Sequence, residues 1–111
     1  MLLNRWTKSV TPVAGVYTIN PIDDSGLIGS GNYKYKMNAR MLNQVLVRSA
    51  TPATTFDVSI EDFEGISIRA WTTAVGVIND LTPTPVVGNI TLKITNASAD
   101  EAFQLLLIWV D

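Results

Sequence analysis

The sequence predicts an all-β fold, an antiparallel β-sandwich or jelly roll of about seven strands with an extended N-terminal arm. Three observations carry the prediction. Residues 54–62 (TTFDVSIED), 66–72 (ISIRAWT) and 89–95 (NITLKIT) alternate apolar and polar side chains with the period of two that a half-buried strand requires. Clusters of Gly, Pro, Asn and Asp punctuate the chain between such stretches, as turns do. No helical pattern runs beyond ten residues. At 111 residues the chain reads as one domain over 13–111, preceded by an arm over 1–12. A domain of this size buries about 65% of its unfolded surface, enough for one core.

The elements follow in order. Residues 1–12 hold Leu2, Leu3, Trp6 and Val10 without a clean period and end at Pro12, which marks the arm; a Trp so near the terminus needs a docking place on its own domain or on a neighbour. Residues 13–19 (VAGVYTI) read as a first strand, closed by Pro21 and a turn at Asp23, Asp24, Ser25 and Gly26. Residues 27–32 (LIGSGN) form a glycine-rich loop. Its spacing is not that of a dinucleotide fingerprint and no helix follows to hold a phosphate, so a hairpin loop is the better reading. Residues 33–37 alternate, with Tyr33, Tyr35 and Met37 on one face and Lys34 and Lys36 on the other. Single-stranded nucleic acid needs aromatic and basic groups on the same face, and alternation separates them here. Residues 41–50 (MLNQVLVRSA) favour a strand for their β-branched end, although Met41, Leu42, Val45 and Leu46 also fit a helical face over 38–47.

The second half is clearer. Residues 54–72 read as a hairpin about the turn Asp62–Gly65, with Phe56, Val58 and Ile60 inward, then Ile66, Ile68 and Ala70 inward and Arg69 and Trp71 on the opposite face. Residues 73–88 are a long connection in which Pro83 and Pro85 deny ladder donors, with a short strand near Val75–Leu81 as an option. Residues 89–95 and the last strand, 102–110 (AFQLLLIWV), make a second hairpin. That last strand organises the chain. Phe103, Leu105, Leu107 and Trp109 share one face, and past Gln104 the other face is apolar too, so it is central in a sandwich or covered by another subunit. Nine residues span about 30 Å extended but only about 14 Å as a helix, so it is no membrane helix and no membrane partner is expected.

Composition narrows the function. Charged residues make up 16% against about 25% in an average domain, while apolar residues make up 47%, which hints at surface covered by partners. The net charge of −2 divides unevenly. Residues 1–50 set six basic groups against two acids, +4, and residues 51–111 set two against eight, −6. The split can orient a subunit against its neighbours, and the overall balance argues against direct nucleic-acid binding. The absence of Cys and His removes disulfides, the usual zinc sites, thiol nucleophiles and Ser-His-Asp chemistry. The start MLLNRWTKSV lacks the apolar core of a signal peptide, so synthesis in a host cytoplasm is expected. The acids at Asp23/Asp24, at Glu61, Asp62 and Glu64, and at Asp100/Glu101 all sit at turns, where solvated carboxylates are ordinary. A carboxylate pair could in principle run glycoside hydrolysis, and Glu61, Asp62 and Glu64 could meet calcium but lack its dense ligand pattern; as ordinary turn acids they predict no enzyme, cofactor or metal.

The stretches TFDVSIEDFEGISIRAW and GNITLKITNASADEAFQLLLIWV, in a short chain lacking Cys and His and rich in Thr, Val and Asn, resemble small virion proteins of tailed bacteriophages. The likeness covers the second half of the chain. Within that class it looks most like capsid decoration, or cement, proteins, with head-to-tail connector and tail proteins as relatives of similar build. The resemblance implies a location in the virion, a homo-oligomer (dimer or trimer), and the major capsid protein or other virion subunits as partners. The interface candidates are Leu2, Leu3, Trp6, Lys34, Lys36, Arg69 and Trp71. The rival reading is a carbohydrate-binding module that stacks sugars on Trp71, Tyr33 or Tyr35.

Overall fold

A computed structural model describes residues 3–25 and 39–110. Among these lie nine strands: β1 (Leu3–Val10), β2 (Tyr17–Ile19), β3 (Ala39–Ser49), β4 (Thr55–Glu61), β5 (Ser67–Val75), β6 (Val77–Asp80), β7 (Thr84–Val87), β8 (Thr91–Thr95) and β9 (Phe103–Val110). One helical turn, α1 (Pro21–Ser25), stands where the sequence suggests a turn. Two antiparallel sheets form a sandwich, as expected. The first runs β1-β9-β3-β6, with β7 also paired to β3; the second runs β2-β8-β4-β5. The pairings nest: β1 with β9, β2 with β8, β3 with β6 and β7, β4 with β5. The chain is thus one long hairpin rolled up, and the pairings of β9 with β3 and of β8 with β4 close the two sheets.

The inward sets follow from alternation. Phe56, Val58 and Ile60 of β4, Leu92 and Ile94 of β8, and Phe103, Leu105, Leu107 and Trp109 of β9 are each no more than 2% exposed. Phe56 and Phe103 meet edge to face across the sandwich with ring centres 5.1 Å apart, a favoured aromatic geometry. In β3 the inward residues are Leu42, Val45 and Val47, because the register against β9 shifts between Leu42 and Gln44. That bulge inserts one residue and yields a three-residue spacing, which is why residues 41–46 also fit a helical face. The strand reading of 41–50 holds.

Several expectations are corrected. Residues 3–10, expected as part of an arm, are an edge strand fully paired with β9, and Trp6 and Val10 lie in the chain's own core. The pattern conceals this because Leu3 points outward, 66% exposed, while Asn4 is buried. The first strand shrinks to Tyr17–Ile19, since Val13 and Val16 close a tight turn through two mutual backbone hydrogen bonds. The long connection 73–88 contains two short strands, with Pro85 tolerated in β7 at the sheet margin. Residues 91–95 and 103–110 are not a hairpin: β8 and β9 lie in different sheets. The loop between them crosses the sandwich, pinned by the Ala97 N–H to the Gly15 carbonyl and the Ser98 N–H to the Thr55 carbonyl. The glycine-rich loop and the Tyr33–Met37 alternation fall outside the described residues.

Candidate interaction surface

The outer face of the first sheet is built by the second face of β9 and its neighbours. The register sets Leu3, Val110, Met41 and Pro85 in one row, Arg5, Ile108 and Gln44 in the next, and Thr7, Leu106, Leu46 and Asn79 below. Ser9, Gln104, Arg48 and Val77 complete it. Leu46, Leu106, Ile108 and Val110 are only half-buried, and Met41 and Leu3 are exposed. The result is an apolar stripe down the middle of the sheet. Polar side chains flank it, and its only charges among the described residues are the exposed guanidinium groups of Arg5 and Arg48. Neither has a carboxylate partner among the described residues, so the face is apolar and positive. β9 is central, as the sequence implied, and its second face still meets solvent.

A second cluster lies where the edge strand β5 meets β6. The register shift in the β4–β5 ladder between Ile60 and Glu61 reverses the facing expected for β5 beyond Ile68, and a second shift, between Phe56 and Val58, follows Trp71. Trp71 packs against the core, whereas Ala70 and Ile66 are exposed. Ile68 remains partly buried against the core. The Arg69 guanidinium lies 5.3 Å from the centre of the Trp71 ring, donates to the Thr84 hydroxyl at 3.3 Å and pairs with Asp80. The Thr82 backbone N–H, its side chain and Arg69 together hold the Asp80 carboxyl below its ordinary range. An open cleft of about 520 Å³ adjoins them, lined by Trp71, Thr72, Ala74, Asn79, Asp80 and Leu81.

The remaining turn acids staple loops. Asp100 accepts the N–H groups of Ala14 and Gly15 at 2.9 and 2.8 Å. Glu101 accepts the hydroxyls of Thr54 and Thr51, and those bonds hold its carboxyl below the usual range. Asp57 is held down in the same way by the Thr73 N–H and Asn96. Asp62 accepts the N–H groups of Glu64 and Ile66, while Glu61 pairs with Lys93 at 3.0 Å. Among the described residues no group of three or more carboxylates is placed to hold a metal ion. No described helix is long and apolar enough to cross a membrane.

The interface candidates are therefore scattered. Leu3 lies on the apolar face, Trp6 is buried with its indole N–H on Asp24 at 2.8 Å, and Arg69 and Trp71 occupy the β5–β6 corner. Leu2, Lys34 and Lys36 lie outside the described residues. Met41, Leu46, Leu106, Ile108 and Arg48 were not singled out, although the two-sided apolarity of residues 102–110 is their signal.

No family model matches the sequence, and no curated protein matches it. Solved structures do. The core of the Drosophila NLP, described for pentamer formation and histone binding, matches with a TM-score of 0.52 at 8% identity over 99% of this chain and 98% of that one. The VLP of the extra small virus (XSV) of the giant freshwater prawn Macrobrachium rosenbergii matches with a TM-score of 0.37 at 15% identity, over 98% of this chain and 80% of that one. The VP2 subviral particle of infectious bursal disease virus matches with a TM-score of 0.37 at 11% identity, and 98% of this chain spans about a third (32%) of that one. At such identities the first likeness is one of fold.

Proposed function

We propose that this chain is a structural subunit of a virus particle that works through buried area and performs no chemistry. In its finer form it is a decoration protein on the head of a tailed phage, bridging neighbouring major capsid subunits; a connector or tail subunit is the nearest variant. The observation that carries the reading is the apolar, positively flanked outer face of the first sheet. A sheet core needs one apolar face, and β9 and β3 supply two, which a lone soluble domain has no use for. The nested strand order supports reading the sandwich as a jelly roll, an architecture that serves in capsid shells and in lectins. The NLP core, described for pentamer formation, shares this fold, which supports the reading that such a fold can serve in an assembly.

The test is biochemical. Particles purified on a density gradient from the cells that make this chain are analysed by mass spectrometry. The chain is expected at a fixed copy number per particle, and Ile108→Lys is expected to remove it from the gradient peak while leaving it folded. Particles that band without the wild-type chain refute the proposal.

A further inference from the structure

We propose that copies of this chain associate head to tail, with the β4–β5 turn of one copy seated on the outer face of the first sheet of the next. The inference rests on the reading of that face as an interface and names its occupant. Charge is the first argument. The face carries Arg5 and Arg48 and no described carboxylate. Packing it against its own copy would enclose four guanidinium groups around one apolar stripe with no anion among them, an arrangement that like-charge repulsion opposes. The face calls for an occupant that is apolar at its centre and acidic at its rim.

The β4–β5 turn has that chemistry. Phe63 and Ile66 are 42% and 58% exposed, unusual for large apolar side chains on a five-residue connection. Glu64 stands between them, exposed, as the acid left for a partner, since Glu61 is paired with Lys93 and the Asp62 carboxylate holds the turn. The turn is also fixed before it binds. The Asp62 carboxylate accepts the N–H groups of Glu64 and Ile66 at 2.9 and 3.0 Å, and the Asp62 N–H donates to the Ile66 carbonyl at 3.0 Å. The Phe63 side chain lies against Gly88, where an added Cβ would stand 3.0 Å from the Phe63 Cβ and 3.1 Å from its ring. A preformed knob loses little entropy on docking. Sizes agree: from Leu106 to Val110 the stripe runs about 14 Å, and three strands make it about 10 Å wide. That span accepts two side chains, with Arg5 beside it at the Ile108 row and Arg48 at its Gln104 end. Because the two surfaces differ, the contact is heterologous and generates a closed ring or an open chain of subunits.

Sedimentation velocity of the purified full chain tests this, at low and high salt and across concentration. The wild type is expected to form oligomers that weaken with salt. Arg5→Glu with Arg48→Glu spoils the face and keeps the knob; Phe63→Ser with Glu64→Gln spoils the knob and keeps the face. Each double variant is expected to stay monomeric alone. Their equimolar mixture is expected to form 1:1 dimers and nothing larger, since only one productive contact exists. A monomeric wild type at its highest soluble concentration overturns the proposal. So does a knob variant that assembles as the wild type does, or a mixture that stays monomeric. The unfolding midpoint of each variant checks its fold, and Glu64→Gln or Arg48→Glu alone replaces any double variant that fails it. A monomer that nonetheless bands with particles refutes head-to-tail association and leaves the proposed function standing.

Discussion

Leu106 and Leu107 are the same residue type, adjacent in the same strand, on opposite faces, and their truncation separates fold from interface. Leu107 is 0% exposed and stands in register between Trp6 and Val45, both buried. Leu107→Ala removes three carbons' worth of burial, about 2.4 kcal/mol at ~0.8 kcal/mol each. A cavity sealed between two sheets adds to that, so a loss of about 3–4 kcal/mol is expected. At about 4–5 °C per kcal/mol, the melting temperature falls by roughly 15 °C. Leu106, between Thr7 and Leu46 on the outer face, is half-buried and opens to solvent, so truncation leaves no sealed cavity. Its expected cost is about 1 kcal/mol. Urea unfolding at a concentration below any association gives both values from the midpoints at unchanged slope. Sedimentation then reads association, and the order is expected to invert: Leu106→Ala impairs it and Leu107→Ala, while folded, does not. A Leu106→Ala loss above about 2 kcal/mol in the monomer, or intact association, refutes the division of β9 into a core face and an interface face.

Two further predictions concern the scaffold. Gly65 and Gly76 both hold φ near +80° (81° and 75°), but a Cβ at Gly65 meets nothing within 4 Å, while one at Gly76 would lie 2.5 Å from the Pro52 carbonyl oxygen. Gly65→Ala therefore costs about 1 kcal/mol of backbone strain alone, and Gly76→Ala about 3 kcal/mol or more once the overlap is added; equal midpoints in urea would exclude the steric contribution. Acid is expected to destabilise the fold through Asp24, Asp57, Asp80 and Glu101, whose carboxyls are all held below their ordinary values. The unfolded chain takes up these protons first, so stability is full above about pH 4–5 and falls as pH drops through the lower folded values. Asp24, held down chiefly by its hydrogen bond from Lys8 and also by Trp6, is a test case: Asp24→Asn is expected to lower the urea midpoint at pH 7 and flatten its decline below pH 4. An unchanged acid slope in that variant would refute the assignment.

The class of fold was legible because β4, β8 and β9 alternate cleanly, and a period of two admits few other structures. Connectivity was less so. Residues 91–95 and 103–110 look like a hairpin because a short polar loop joins them, yet each strand finds its partners far away in sequence, and alternation says nothing about which strand pairs with which. The facing of β5 differs from the expected one for a local reason: the register shift between Ile60 and Glu61 sets Trp71 opposite Val58 and Ala70 opposite Ser59. Single-residue insertions leave no mark on composition and reverse every side chain beyond them. The apolar face, in contrast, was half visible. The run Leu105 to Val110 announced that β9 is apolar on both sides; that its outer side joins Leu3, Met41 and Leu46 into one stripe required the register.

That register also bears on the rival use of Trp71. Sugar stacking needs a bare aromatic face, and the shift between Ile60 and Glu61 turns Trp71 onto the core and brings Arg69 over its ring, where Asp80 and Thr84 anchor the guanidinium. Clearing the ring for a sugar means giving up the cation–π contact and the ion pair together, so a ligand there starts from a deficit. The outer face of the first sheet carries no such prior engagement. Its apolar atoms already meet water and its arginines have no described carboxylate to leave, so whatever covers it gains burial and charge compensation at once. Association on that face also stabilises the fold by mass action, because the strands that present it, β9 and β3, are the ones whose inner faces build the core.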